Sequence, residues 1–236
     1  MPLLEVSDLH AHYGKSHILN GVSLAVGAKE IVAVLGRNGS GRSTLMKAII
    51  GLVPPTGGSI RLDGAEIAGA PAYQIVRRGL AYVPEERLAF DNLTVEENLL
   101  IGLQKGPQGA PAWTIADMYN YFPPLLERRA TRAGKLSGGE QQLLTLCRSL
   151  LCHPKAILID EPTEGLAPKL VESLVEIMRD MARRGVAIVL VEQKMTIALR
   201  IADRCLVMGH GKIVFEGTPD ELSRNTEVKR SWLEAA

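Results

Sequence analysis

Residues 36–44 read GRNGSGRST, and the meaning of this stretch decides the fold. Its glycines have the spacing of G-x-x-x-x-G-K-[ST], a loop whose backbone N–H groups curl around phosphate oxygens at the start of a helix. Arg42 stands where that pattern has lysine. The flanks supply the context the loop requires. EIVAVLG, ending at Gly36, is an apolar run of strand length. STLMKAIIGL, directly after the loop, spaces Leu45, Ile49 and Leu52 as one face of a helix. In this setting Gly36, Gly39 and Gly41 allow the curl, with Arg37, Asn38 and Ser40 between them, and Arg42 brings a charge. The Ser43 hydroxyl is placed to ligate Mg²⁺, and Thr44 to reach a phosphate oxygen. Glycines also serve ordinary turns, so the loop needs support from the rest of the chain.

The bulk properties exclude several classes. The chain has 236 residues, 46% hydrophobic and 22% charged, as in ordinary globular proteins. Its 27 basic and 26 acidic residues nearly cancel, and no basic run suits a nucleic-acid partner. Cys147, Cys152 and Cys205 form no C-x-x-C pair, which fits reduced thiols better than a disulfide framework. His10-x-His12 is expected on a surface strand, with no carboxylate or thiol cluster nearby to complete a metal site. The first residues do not resemble a signal peptide, and no window approaches the ~18 apolar residues of a spanning helix.

Elsewhere, β-rich runs (LLEVSDL, GVSLAV, GGSIRLDG, GLAYVP) precede a change of texture from about Leu88 to Gly134. There LTVEENLLIGL reads as a helix capped by Thr94, KGPQGAPAW as a breaker-rich loop, and YFPPLLERRATRAGK as a basic helix. Afterwards strands (AILID, VAIVLVE) alternate with helices (EQQLLTLCRSLLC, KLVESLVEIMRDMARRG, KMTIALRIA), and RCLVM and KIVFEG close the pattern. Apolar, non-alternating strands between helices indicate a parallel sheet covered on both faces.

Two further elements bear on the loop. AILIDEP ends an apolar strand in adjacent carboxylates: Asp160 is expected to face a metal, and Glu161 a water in line with a terminal phosphate. LSGGEQQ, Leu136–Gln142, starts a helix at Ser137, Gly138 and Gly139, a second set of free N–H groups. One chain rarely needs two terminal-phosphate sites, whereas two chains facing head to tail would lay this turn over the partner's nucleotide.

Together, these pieces in this order resemble the ATP-binding cassette (ABC) ATPases over essentially the whole chain. The resemblance implies a P-loop NTPase (RecA-like) α/β core of mostly parallel sheet, an N-terminal antiparallel β subdomain and an inserted helical subdomain. In a single domain over 1–236, residues 1–87 and 135–236 would form the core with its β subdomain. Residues 88–134 would begin the helical part, which continues to the signature near 136–142. The resemblance further implies ATP and Mg²⁺ as cofactors, Tyr13 as the adenine-stacking aromatic, and Glu161 as the catalytic carboxylate. Asp160, Ser43 and Glu85 would serve the metal, and Leu136–Glu140 would contact the partner chain's ATP through Ser137, Gly138 and Gly139. YVPEER, LTVEENL, DEPTEGLAP and LVEQ look like the ATP-binding subunits of branched-chain amino acid importers, though urea and amide importers carry similar strings. The implied partners are a second ATP-binding subunit, integral membrane permeases and, indirectly, a periplasmic solute-binding protein. That places the chain at the cytoplasmic face of a bacterial inner membrane.

Three residues depart from the general pattern. Glu85 replaces a glutamine, and Gln193 replaces a histidine that contacts the terminal phosphate. The larger departure is Arg42, whose planar guanidinium is no equivalent of a slim lysine ammonium. Nucleotide binding is expected to persist in weakened form with slower hydrolysis. A nucleotide-binding regulatory subunit that does not hydrolyse is the alternative. A soluble cassette protein of DNA repair or translation fits less well, because this chain has neither a second cassette nor an inserted coiled coil.

Overall fold

In the computed structural model, which describes residues 2–234, the chain builds two sheets. The strands are β1 (Leu4–Tyr13), β2 (Ser16–Val26), β3 (Ile31–Gly36), β4 (Gly57–Leu62), β5 (Ala65–Glu66), β6 (Leu80–Val83), β7 (Ala156–Asp160), β8 (Ala187–Val191), β9 (Arg204–Gly209) and β10 (Lys212–Gly217). The longer helices are α1 (Arg42–Ile49), α2 (Ala72–Arg77), α3 (Val95–Gly102), α4 (Ile115–Tyr121), α5 (Pro123–Glu127), α6 (Gly138–Leu150), α7 (Pro168–Arg183), α8 (Met195–Ile201) and α9 (Pro219–Arg224). An antiparallel sheet has the order β2-β1-β4-β5, and a six-stranded sheet the order β10-β9-β3-β8-β7-β6. The latter is parallel except at its β10 edge. This is the α/β architecture expected from the apolar, helix-separated strands.

Strand alternation sends the side chains of the six-stranded sheet into different layers. Ile157 and Ile159 of β7, with Ile188 and Leu190 of β8, pack against α3, α6 and α7. Leu158, Val189 and Val34 face the other way, toward α1 and the antiparallel sheet. A third layer joins Leu35, Cys205 and Val207 to Leu222 of α9. On α7 the expected stripe is in place: Leu174, Ile177 and Met181 are buried, Leu170 partly so, and Gly185 closes the helix at φ 109°. Thr94 caps α3 through a reciprocal capping box with Glu97.

Two expectations need correction. Leu52 does not continue the apolar face of α1. The helix ends at Ile49, Gly51 takes φ 80°, and Leu52 is left exposed. YFPPLLERRATRAGK is not one helix either. Pro123 and Pro124 offer no N–H and push Phe122 out of the helical region (φ −131°, ψ 74°), so α4 stops and only the five-residue α5 follows. Beyond it, Thr131 gives its carbonyl to Val95 N at 3.0 Å, drawing the chain into a turn beside α3. The small elements β5 and α2 and the helical stretch after Gly217 carried too little periodicity to be anticipated.

Leu158 sits on β7, between β8 and the edge strand β6, with its side chain fully buried. Truncating it leaves a cavity between sheet and helix, so Leu158→Ala should lose about 2–5 kcal/mol. Urea unfolding of the two proteins measures the difference.

Candidate functional site

Parallel strands carry their carboxyl ends to one edge of the sheet, and there the chain forms a cleft of about 260 Å³. It is lined by Asn38–Thr44, Glu85, Glu161 and Gln193. Each contribution follows directly from a strand end: β3 delivers the glycine loop, β7 the carboxylates, β8 Glu192 and Gln193, and β6 Pro84 and Glu85.

The loop is built from backbone. Gly41 is the N-cap of α1 at φ 105° with no side-chain cap, and Gly39 takes φ 80°. The first-turn N–H groups of α1 therefore lie without intrahelical acceptors at the positive end of the helix. Ser40 N donates to Arg37 O at 3.1 Å, and Gly211 N to Ser40 O at 3.0 Å, which anchors the loop to the β9–β10 turn. Gly36 leaves no room for a side chain, since a Cβ there would lie 2.6 Å from the Met208 carbonyl. Arg37 borders an adjoining recess with Met208 and Trp232 rather than the main cleft.

Arg42 does not point freely into this cleft. Its side chain is 5% exposed, and Nη2 lies 3.0 Å from Glu161 Oε1, a buried ion pair. The same nitrogen donates to Asn38 Oδ1 at 3.3 Å, while Nη1 donates to the Glu192 carbonyl at 3.4 Å. The other oxygen of Glu161 accepts from Gln193 Nε2 at 2.8 Å, and that amide also donates to Asn38 Oδ1 at 3.0 Å. Both carboxylate oxygens of Glu161 are thus engaged. Its backbone is left-handed at φ 46°, held there by Glu161 N donating to Val191 O at 2.9 Å. Strained conformations of this kind collect at functional sites.

Asp160 lies behind the loop, 1% exposed. Burial, with smaller contributions from Glu161 and Glu85, raises its pKa from 3.8 to about 6 against the lowering effect of the Ser43 hydroxyl. Its Oδ1 is buried with no partner among the described residues, and its Oδ2 accepts a long hydrogen bond from Tyr82 Oη at 3.5 Å. Glu85 sits at the mouth, its carboxylate within 4.8 Å of those of Glu161 and Glu164. Partial desolvation and these like charges raise its pKa.

Not every sequence candidate joins the cleft. Tyr13 is half exposed at the end of β1 and does not line it. Leu136, Ser137, Gly138, Gly139 and Glu140 also lie outside its lining. Ser137 caps α6: its Oγ accepts from Glu140 N at 3.3 Å and donates to Glu140 Oε2 at 2.8 Å.

Several participants escaped the sequence reading. Arg87 crosses from the Glu85 turn to the start of α6, donates to Glu164 O at 3.2 Å, and fills the space beside Gly138 and Gly165. Buried Glu192 accepts from Thr163 Oγ1 at 2.6 Å and from Lys194 N at 2.9 Å, tying together the turns after β7 and β8. The polar run EER and the apolar-to-Glu step at the end of β8 were the available signals, and neither names a partner.

With this geometry established, comparison with known proteins assigns the class. The ABC transporter family model matches residues 19–164, and the chain belongs to this family. It is 40% identical to the high-affinity branched-chain amino acid transport ATP-binding protein BraG of Pseudomonas aeruginosa, covering 98% of this chain and 99% of that one. It is 32% identical to the lipopolysaccharide export system ATP-binding protein LptB of Haemophilus influenzae over 99% and 98% of the two chains. Among solved structures, the ADP conformation of an ATP-binding cassette of an ABC transporter superposes with a TM-score of 0.82 at 27% identity, over 97% and 98% of the chains. The chain is thus a nucleotide-binding ATPase of the transport class.

A proton held by Asp160 makes stability depend on pH. Between pH 3.8 and about 6 the folded chain retains a proton that the unfolded chain has released. Stability therefore falls as pH rises through that interval and levels off above it. Asp160→Asn removes this contribution. Chemical unfolding of the nucleotide-free proteins at about pH 4 and about pH 6.5 should show a smaller drop in the variant.

Proposed function

We propose that this chain is the ATP-binding, ATP-hydrolysing subunit of an importer for branched-chain amino acids. It would work as a dimer with itself or a related subunit, beneath membrane permeases that receive solute from a periplasmic binding protein. Among the described residues no helix is long and apolar enough to cross a membrane, so the membrane partners would supply the path. The observation that carries the reading is the convergence of an uncapped α1 N-terminus and Glu161 in one cleft, with buried Asp160 behind the loop and the 136–140 turn outside it. The substrate class rests on the likeness to the branched-chain relative. Residues 1–87 and 135–236 would act as the nucleotide-binding core, and 88–134 would open the helical part that meets the permease.

The residues divide the work chemically. Amides of Gly39–Thr44 would take the β- and γ-phosphates, helped by the dipole of α1. Tyr13 would stack on adenine. Ser43 and Asp160 would hold Mg²⁺. The fit is supported by the unpartnered Oδ1 of Asp160 beside a hydroxyl, a hard-oxygen donor set suited to that ion. Bound there, Mg²⁺ offsets negative charge on the transferring phosphoryl group. Glu85 would contribute at the cleft mouth, next to Glu161. Glu161 would orient and deprotonate the attacking water, with Gln193 holding its carboxylate in place. Ser137 and Gly139 would contact the nucleotide of the opposite chain.

Arg42 adds a step that lysine would not. While its guanidinium pairs with Glu161, each oxygen of that carboxylate already accepts one hydrogen bond, from Arg42 or from Gln193, which leaves fewer lone pairs for a water. Phosphate oxygens entering the loop compete for the same guanidinium, and its transfer to them releases Glu161 Oε1. Arg42→Lys should keep ATP binding and raise kcat on the order of 10²-fold or more, because a well-placed point charge is restored and Glu161 is released. Equal turnover in the two proteins would refute this account. The same ion pair favours a second reading, in which this chain binds nucleotide and regulates while its partner hydrolyses. In that case the isolated chain should show no single-turnover hydrolysis.

The transport reading is tested in vesicles carrying the chain with permeases and a receptor of a branched-chain amino acid importer. Labelled leucine should accumulate only with Mg²⁺ and ATP. Glu161→Gln should abolish accumulation while the variant still binds ATP.

A further inference from the structure

The sequence placed His10 and His12 on a surface strand without companions, and the structure adds companions from two directions. His17, across the hairpin on β2, pairs in register with His12, and their rings stack at 4.0 Å with 7° between planes. His10 Nδ1 lies 3.1 Å from His17 Nε2. On the far side of the same ring, His10 Nε2 lies 3.3 Å from Asp8 Oδ1. His12 is held through its Nδ1 by Thr56 Oγ1 at 2.9 Å. Three imidazoles and a carboxylate therefore share one face of the β1–β2 hairpin, away from the lining of the nucleotide cleft.

The proton arrangement is instructive. A carboxylate only accepts, so a neutral His10 carries its ring proton on Nε2, facing Asp8, and presents a bare lone pair at Nδ1. That lone pair faces His17 Nε2, which meets it through its own N–H when that nitrogen carries the proton, and through a bridging cation when it does not. A shared proton would serve, and so would a metal ion. Two Zn–N bonds of about 2.0–2.1 Å span 3.1 Å when they meet at roughly 100°, and rotating the two surface rings would turn both lone pairs off the N···N line toward such an ion. The Asp8–His10 contact is the outer-shell pattern that orients a ligating imidazole and raises its basicity.

We propose that His10 Nδ1 and His17 Nε2 form a binding site for a borderline divalent cation of the Zn²⁺ or Cu²⁺ class. Asp8 orients His10, His12 flanks the ion, and water completes the coordination. The ion would clamp β1 to β2 directly beneath the turn that carries Tyr13, separately from any Mg²⁺ at Ser43 and Asp160.

The test uses the nucleotide-free full chain, titrated with Zn²⁺ by calorimetry and with Cu²⁺ by electron paramagnetic resonance. One equivalent should bind ahead of weaker sites, raise the melting temperature, and show copper hyperfine coupling to imidazole nitrogens. His10→Ala and His17→Ala should each weaken binding by about tenfold or more, and Asp8→Asn by about tenfold through the outer shell. His210→Ala, on the other sheet, should leave binding at the parent level. All of these positions are at the surface, and melting curves without metal will verify that each variant folds. Undiminished binding in the His10→Ala/His17→Ala double variant would place the ion elsewhere and overturn the proposal. The absence of binding by the parent chain would leave only an N–H···N hydrogen bond between the rings and would equally overturn it.

Discussion

Parallel pairing among β3, β8 and β7 is the constraint on which the remaining structure depends. Val34 and Asp160 both pair with Val191, one from each side of β8. Adjacent strands are about 4.8 Å apart, so this register alone brings the glycine loop, the Asp160–Glu161 step and the Glu192–Gln193 step to neighbouring positions at one edge. Apolar alternation then divides the layers: Ile157 and Ile159 take the α6 and α7 side, while Leu158 and Asp160 take the α1 side. A slip of one residue would turn Asp160 into the helical layer and withdraw it from Ser43.

Within that frame, the balance of charge at the cleft is unusual. Glu85, Glu161 and Glu164 crowd together, and the guanidinium of Arg42 is the cation in direct contact with Glu161. Two buried opposite charges are costly to separate, because either one left alone would be desolvated without compensation. Arg42 is thus a structural partner of Glu161 as well as the group proposed to meet phosphate. Lysine, with one ammonium in place of a planar fork, could not at once reach Glu161, Asn38 and the Glu192 carbonyl in this way.

How much of this was legible depended on how local each signal was. The strand–loop–helix order around Gly36–Thr44, the strand ending in Asp160, the Thr94 cap and the α7 stripe are all short-range patterns, and each could be read from neighbouring residues. The limits of α1 and the break at Phe122 depart from the apolar spacing because Gly51 and Pro123 end the helices whatever apolar residues follow. Long-range contacts were silent. No local pattern announces that Arg42 meets Glu161, 119 positions away, or that Thr163 and Glu192 brace adjoining turns. His17 likewise looked unrelated to His10 until the hairpin register set them side by side.

The capping box of α6 has a bearing on how firmly two such chains could hold one another. The Ser137 hydroxyl already donates to Glu140, and Glu140 in turn faces Arg128 at 3.3 Å. An outside acceptor that recruits this hydroxyl replaces one bond with another, and trading like for like contributes little net free energy. A contact assembled by such substitution is easily undone. Meeting a partner chain as proposed, the 136–140 turn would be suited to repeated cycles of engagement and release rather than to a lasting grip.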